Sequence, residues 1–225
     1  MTSTAATPMP KPHRDRGIEG RMATWYAATT GKSIQDFQEL AQRVARELPE
    51  GGRVLEIAPG PGYVCVELAK LGPYRVTGVD LSADMVRIAR ENAEKAGVAV
   101  KFQQGNASSL PVGDDSFDYL VCRAAFKNFA QPVRALQEMH RVLKPGGRGL
   151  IIDLRRNASP AEINQGVDRM GLSTVNRIIT KLTFRYFLVP SAYAREHFEQ
   201  MLAQTEFSQR EVVESGIGFE IRLRK

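Results

Sequence analysis

The chain is poor in the residues that build metal centres and disulfide frameworks. Two cysteines, Cys65 and Cys122, and three histidines are spread through 225 residues. No group of them has the spacing of a metal-ligand set, so no metal is expected. One cysteine falls on an expected helix and the other at an expected strand end, which suits buried, reduced thiols. No apolar run is long enough to span a membrane. The N-terminus lacks the apolar segment of a secretory signal. Together these absences lead us to expect a cytoplasmic protein with no membrane partner. A basic stripe with interleaved aromatics, the usual footprint of nucleic-acid binding, is missing too. The formal net charge of +6 is open to two readings, an acidic partner or a basic tail. The second is favoured, because Lys11, Arg14, Arg16 and Arg21 crowd one end.

What is present suits one α/β domain, with 43% hydrophobic and 25% charged residues. Residues 1–16 carry little to bury and are expected to be a disordered tail. Residues 17–50 read as an N-terminal cap and helix. Met22, Trp25 and Tyr26 are expected either to brace the domain or to form a lid. A helix from Ser33 to Leu48 follows, with Ser33 as its N-cap. Residues 51–225 then read as the main domain. Strands are expected from Arg53 to the acid Glu56 and at Arg75–Asp80, Val98–Gln103, Phe117–Cys122 and Gly149–Leu154, with helices between them. That alternation implies a parallel sheet with right-handed crossovers. Residues 159–188 read as a helical insertion over the sheet's carboxyl edge, and Pro190 begins another helix to about Leu202. Two final strands, Phe207–Glu214 and Phe219–Leu223, flank Gly216 and Gly218 and suggest an antiparallel edge pair.

The chemistry concentrates in Arg53-Val54-Leu55-Glu56-Ile57-Ala58-Pro59-Gly60-Pro61-Gly62-Tyr63. A strand ends in an acid, a turn of small residues follows, and a helix begins. Such a turn exposes backbone N–H groups at a helix start, where a ligand can approach closely. Asp80 closes the next strand, positioned to accept hydrogen bonds from ribose hydroxyls. The glycine turn and the strand-terminal acid together are far more specific than either alone.

These segments resemble the class I S-adenosylmethionine-dependent methyltransferases, of the small-molecule type related to ubiquinone and menaquinone methyltransferases. The resemblance runs from about Arg53 to Leu154. It rests on Glu56-Ile57-Ala58-Pro59-Gly60-Pro61-Gly62, where Ala58 stands for the usual first glycine, and on Val76-Thr77-Gly78-Val79-Asp80-Leu81-Ser82. Gly105-Asn106-Ala107, with Asn106 for the usual aspartate, Ser116-Phe117-Asp118 and the Arg141–Gly147 turn complete it. It implies a Rossmann-like fold with a mostly parallel seven-stranded sheet, an antiparallel C-terminal edge pair and helices on both faces. It also implies S-adenosyl-L-methionine as cofactor. The implied cofactor-binding positions are Glu56, Ala58, Gly60, Pro61, Gly62, Asp80, Leu81, Met85, Asn106, Ala107 and Arg123. Among them Ala58, Gly60 and Gly62 would hold the methionine part, Asp80 the ribose, and Leu81, Met85, Asn106 and Ala107 the adenine.

Methyl transfer from a sulfonium is an in-line displacement that needs alignment more than a base. Tyr26, Arg123 and Lys127 are the candidate catalytic residues. The acceptor pocket is expected to draw on them and on Phe126, Asn128 and Arg155, with Trp25 and the 159–188 insertion covering it. Arg123 is alternatively a surface salt-bridge partner, and Phe126 is alternatively simple core. An aromatic and cationic lining suits a small, partly apolar, neutral or anionic acceptor. Cys122-Arg123-Ala124-Ala125 stands where Asn-Pro-Pro-Tyr would mark amide or adenine methylation. The competing readings are an RNA methyltransferase, a non-catalytic S-adenosylmethionine-binding protein and a nicotinamide-dependent oxidoreductase. The last lacks the third glycine of the dinucleotide fingerprint near Cys65.

Overall fold

The computed structural model describes residues 17–30, 34–170 and 172–225. The expected tail and the Ser33 cap lie outside them. Seven strands form one sheet in the order β3-β2-β1-β4-β5-β7-β6. The strands are β1 (Arg53–Ile57), β2 (Arg75–Asp80), β3 (Lys101–Gln104), β4 (Phe117–Arg123), β5 (Leu143–Leu154), β6 (Gln209–Ser215) and β7 (Gly218–Arg224). The first five pair in parallel, whereas β7 is antiparallel to β5 and to β6. The strand order reverses between β1 and β4. In such sheets the carboxyl ends at the switch point open a crevice, and this is where ligands bind.

Alternation along the strands divides the core in two. Leu55, Ile57, Leu120, Cys122 and Ile151 face one layer. It is filled by helices α5 (Pro132–Val142) and α9 (Arg195–Leu202) with the aromatic group of Phe126, Tyr193, Phe198 and Phe219. Val54, Tyr119, Val121 and Leu150 face the other layer. There α2 (Ile34–Ala45), α3 (Tyr63–Lys70) and α4 (Ala83–Lys95) present Phe37, Leu40, Val64, Leu68 and Val86. A strand segment buried on both faces must be apolar, which explains the run from Tyr119 to Cys122 in β4. Both cysteines are buried free thiols.

Tertiary pairing redraws several expected boundaries. Residues Arg21–Thr30 form helix α1, where only an aromatic cap was expected. Strand β5 starts at Leu143 and takes in the expected Lys144–Gly147 turn, with a register shift opposite Phe117 and Tyr119. The insertion is not one helix. It breaks into α6 (Pro160–Asp168), α7 (Thr174–Thr183), a π-helical turn (Phe184–Leu188) and the short α8 (Val189–Ser191). The expected helix from Pro190 is interrupted as well, because Tyr193 leaves the helical path to bridge Arg155 before α9 begins. Ser159 caps α6 in a full capping box with Glu162. Among the described residues no helix is long and apolar enough to cross a membrane.

Candidate active site

The carboxyl ends of β1, β2 and β4 meet at a cavity lined by Tyr26, Ala58, Gly60, Asp80, Leu81, Met85, Asn106, Ala107 and Arg123. All nine were expected from the sequence. The backbone explains how they converge. Ala58 has φ of 55° and Gly60 of 54°, so the chain turns sharply at the cavity; the N–H groups of Ala58, Gly60 and Gly62, expected to be exposed, are instead bonded to the Val79 carbonyl, Asp80 and the Pro59 carbonyl. Ala58 donates to the carbonyl of Val79 at 2.8 Å, which locks the turn onto β2. A left-handed alanine is strained by about 1–2 kcal/mol. A side chain on Gly60 would stand in the open cavity, its Cβ meeting only Cε1 of Tyr26 at 3.9 Å.

Asp80 is held where two elements end. Its Oδ2 accepts the N–H of Gly60 and its Oδ1 that of Ser82, both at 2.9 Å. Burial pushes this carboxyl up, and the same two N–H groups oppose the rise. Each oxygen keeps a lone pair for a further donor. Beyond it, Ser82 caps α4 by accepting the N–H of Met85 at 3.0 Å, and this sets Leu81 and Met85 along the cavity wall. Asn106 folds its own turn, its Oδ1 accepting the N–H of Ser108 at 2.8 Å.

The roof comes from the N-terminal segment. Ser82 donates its hydroxyl to the carbonyl of Ile18 at 2.7 Å, and Glu19 accepts the N–H groups of Ala83 and Asp84. Helix α1 then packs Ala23 and Ala27 on Met85 and Ile88. Tyr63 donates to the carbonyl of Ala27 at 2.9 Å. These contacts bring Tyr26 over the glycine turn. Trp25, on the same helix, is 62% exposed and lines no part of the cavity.

Arg123 closes the opposite side with its guanidinium 4.8 Å from the ring centre of Phe37. Beside it a smaller recess is bordered by Glu56 and Pro61 together with Tyr26, Ala58 and Gly60. Glu56 is buried. Its carboxylate accepts the N–H of Cys65 at 3.1 Å and its thiol at 2.9 Å. Desolvation raises its pKa to about 7, against the pull of the Cys65 donors and of Arg123.

Four expected residues lie elsewhere. A Cβ on Gly62 would meet Cζ of Phe102 at 2.7 Å and Cβ of Ala89 at 2.9 Å. Its smallness therefore admits the core under the turn and leaves no extra room for a ligand. Lys127 is turned inward to the buried carboxylate of Asp153, at 3.4 Å, and donates to the carbonyl of Ala124. Phe126 is fully buried among aromatics. Arg155 ties the insertion to β6 through Glu162, Glu214 and the carbonyl of Gly216. No described residue of 159–188 lines the cavity, whereas Asn128 does. Residues not assigned a role from sequence also line it, among them Gly17, Ile18, Ala125 and Phe129, with Gly105 of the third motif. The motif's small residues were a usable signal for Gly105; nothing local distinguished the others.

A methyltransferase-domain family profile matches residues 55–151. The demethylmenaquinone methyltransferase of Chlorobaculum parvum is 31% identical over 184 residues, covering 78% of this chain and 75% of that protein. The chain belongs to the S-adenosylmethionine-dependent methyltransferases. Solved structures agree on the fold of this methyltransferase. A candidate S-adenosyl-L-methionine-dependent methyltransferase from Methanococcus maripaludis matches with TM-score 0.71 at 20% identity, covering 95% of this chain and 96% of that one. The [4+2]-cyclase SpnF matches with TM-score 0.63 at 18% identity, covering 97% and 87%. At these identities the two structures speak for the fold alone.

The cavity of this methyltransferase suits S-adenosylmethionine in its donor set. A buried carboxylate at a strand end matches a ribose diol. Leu81 and Met85 form an apolar wall for a flat base, with the Asn106 turn at its edge. Gly60 leaves free the space that any side chain would fill.

Proposed function

We propose that this methyltransferase acts on a small, partly apolar, neutral or anionic acceptor whose reacting atom becomes nucleophilic without a protein base. One observation carries the reading: Arg123 is the one cationic side chain among the described residues lining the cavity. The other ionisable groups there are Tyr26 and Asp80, and Asp80 already accepts two backbone N–H groups. Arg123 stays protonated and cannot take a proton. It instead stabilises an anionic oxygen on the acceptor, which lowers the pKa of a phenol or enol held beside it. His140 meets Phe207 edge-to-face and His197 is buried beside Ala194, so among the described residues no histidine lines the cavity. The quinone-ring acceptor in the name of the Chlorobaculum parvum relative favours a hydroxylated aromatic ring.

When bound, S-adenosylmethionine supplies a methyl group already activated on a sulfonium. The protein's share is alignment and exclusion of water. In this reading the backbone of Ala58 and Gly60 with Asp80 hold the cofactor, with Glu56 and Pro61 behind them. Leu81, Met85, Asn106 and Ala107 grip its base. Arg123 orients the acceptor's oxygen, while Tyr26 and Phe129 enclose its apolar part. Lys127 acts at a distance, by setting the turn that carries Asn128 and Phe129. Residues 51–225 then form the methyltransferase domain, with 17–50 as its cap.

The test uses methyl-labelled S-adenosylmethionine with a panel of hydroxylated quinones, phenols, amines and RNA. Label is expected in hydroxylated aromatics, with kcat/KM rising with pH to a plateau set by the acceptor's own pKa. Transfer to amines or RNA would overturn the acceptor class. Calorimetric cofactor binding with transfer to nothing would favour a non-catalytic binding protein.

A further inference from the structure

Helix α7 is built inside out. Val175, Ile178, Ile179 and Leu182 recur at helical spacing, and Tyr186 and Phe187 continue the stripe into the π-helical turn. All six are at least half exposed, Phe187 at 72%. The polar side faces the protein instead: Lys181 pairs with Asp168 of α6 at 2.8 Å, and Arg177 approaches it at 3.8 Å. The insertion is anchored without the stripe, through Ile163, Val167, Val189 and Phe184. Exposure of this much contiguous apolar surface marks an interaction site.

We propose that this face lies on an anionic lipid bilayer, with its apolar stripe in the acyl boundary and the exposed Arg185 among the headgroups. Charge decides the occupant. From Arg169 to Arg185 the chain carries four cations and no acid. Asp168, just before that run, is the one acid among the described residues that pairs with α7, and two of the cations share it. Arg185 is exposed and lies over the ring of Tyr186. An amphipathic helix with an aliphatic and aromatic face flanked by Lys and Arg is the pattern of interfacial binding. Apposition of a second copy would bring the same cations together, which opposes self-association. Surface binding differs from spanning, so it is compatible with the absence of a membrane-crossing helix among the described residues. It revises the expectation of no membrane partner, and it does not depend on the acceptor.

The test is flotation of the full chain with vesicles of phosphatidylcholine alone or mixed with phosphatidylglycerol. The wild type is expected to float with the mixed vesicles and only weakly with the neutral ones. Ile179→Asp and Phe187→Asp should each lower partitioning by about tenfold or more, and Arg185→Glu should weaken binding to the mixed vesicles alone. Circular dichroism and S-adenosylmethionine affinity should be unchanged, because these side chains are exposed and line no part of the cavity. Failure of the folded wild type to float with anionic vesicles would overturn the proposal, as would aspartate variants that float equally well. A wild-type dimer that Ile179→Asp splits, without vesicle binding, would overturn it in favour of a second copy.

Discussion

Glu56 should make the protein lose stability as pH rises through neutrality, and Glu56→Gln should remove that loss. The carboxyl is 4% exposed on β1 and its pKa rises from the ordinary 4.5 to about 7, chiefly through desolvation. The folded chain therefore keeps a proton between about pH 4.5 and 7 that the unfolded chain has released. With more protons bound to the folded state, stability falls as pH climbs through that window. At about 1.4 kcal/mol per tenfold change in proton affinity, the full effect above pH 7 is about 3 kcal/mol. Glutamine has the same shape, and its carbonyl can accept the N–H and thiol of Cys65 that the carboxylate accepts now. Urea denaturation of both proteins from pH 4 to 9 measures the difference. The two should be nearly equal at pH 4, and the variant should lead by about 3 kcal/mol at pH 8. Parallel profiles would refute the reasoning, because every other titrating group is common to both. An acid buried at such expense beside the cavity suits a role toward the cofactor, so Glu56→Gln should also weaken S-adenosylmethionine binding in calorimetry.

Three further outcomes are expected. Asp80→Ala should reduce S-adenosylmethionine affinity by about 1.5–3 kcal/mol for each charge-assisted hydrogen bond lost, and unchanged affinity in calorimetry would remove Asp80 from the ribose site. Arg123→Gln should raise the acceptor's KM by about tenfold or more while lowering kcat less; a fall in kcat at constant KM would assign Arg123 to the reacting centre. Lys127→Met leaves the Asp153 carboxylate, itself 1% exposed, buried without its cation and held, among the described residues, only by the N–H groups of residue 127 and Leu154. It should lower stability by about 3–5 kcal/mol in denaturant titration, whereas a folded variant whose activity alone is lost, and returns with an amine side chain, would make Lys127 a base.

The sequence by itself determined what depends on residue type and short spacing. Alternating strand and helix patterns dictated the parallel sheet. The run from Glu56 to Gly62 and the acid at Asp80 marked the cavity, because small residues such as Gly60 leave its space open and a strand-end acid can meet a diol there. Tertiary structure decided where side chains far apart in the chain would point. Gly62 was legible as a glycine of the turn, but its partner Phe102 lies on β3, two strands away. Lys127 read as a pocket residue until the parallel pairing of β4 and β5 set Asp153 beneath it, 26 positions on. Burial of that carboxylate then claims the amine. The segment before α1 carried no motif, and its place over the cavity follows from caps it supplies to α4. The periodicity of α7 was visible as an apolar stripe. Periodicity states that a face is apolar and leaves its direction open; the Asp168 contacts turned that face to solvent.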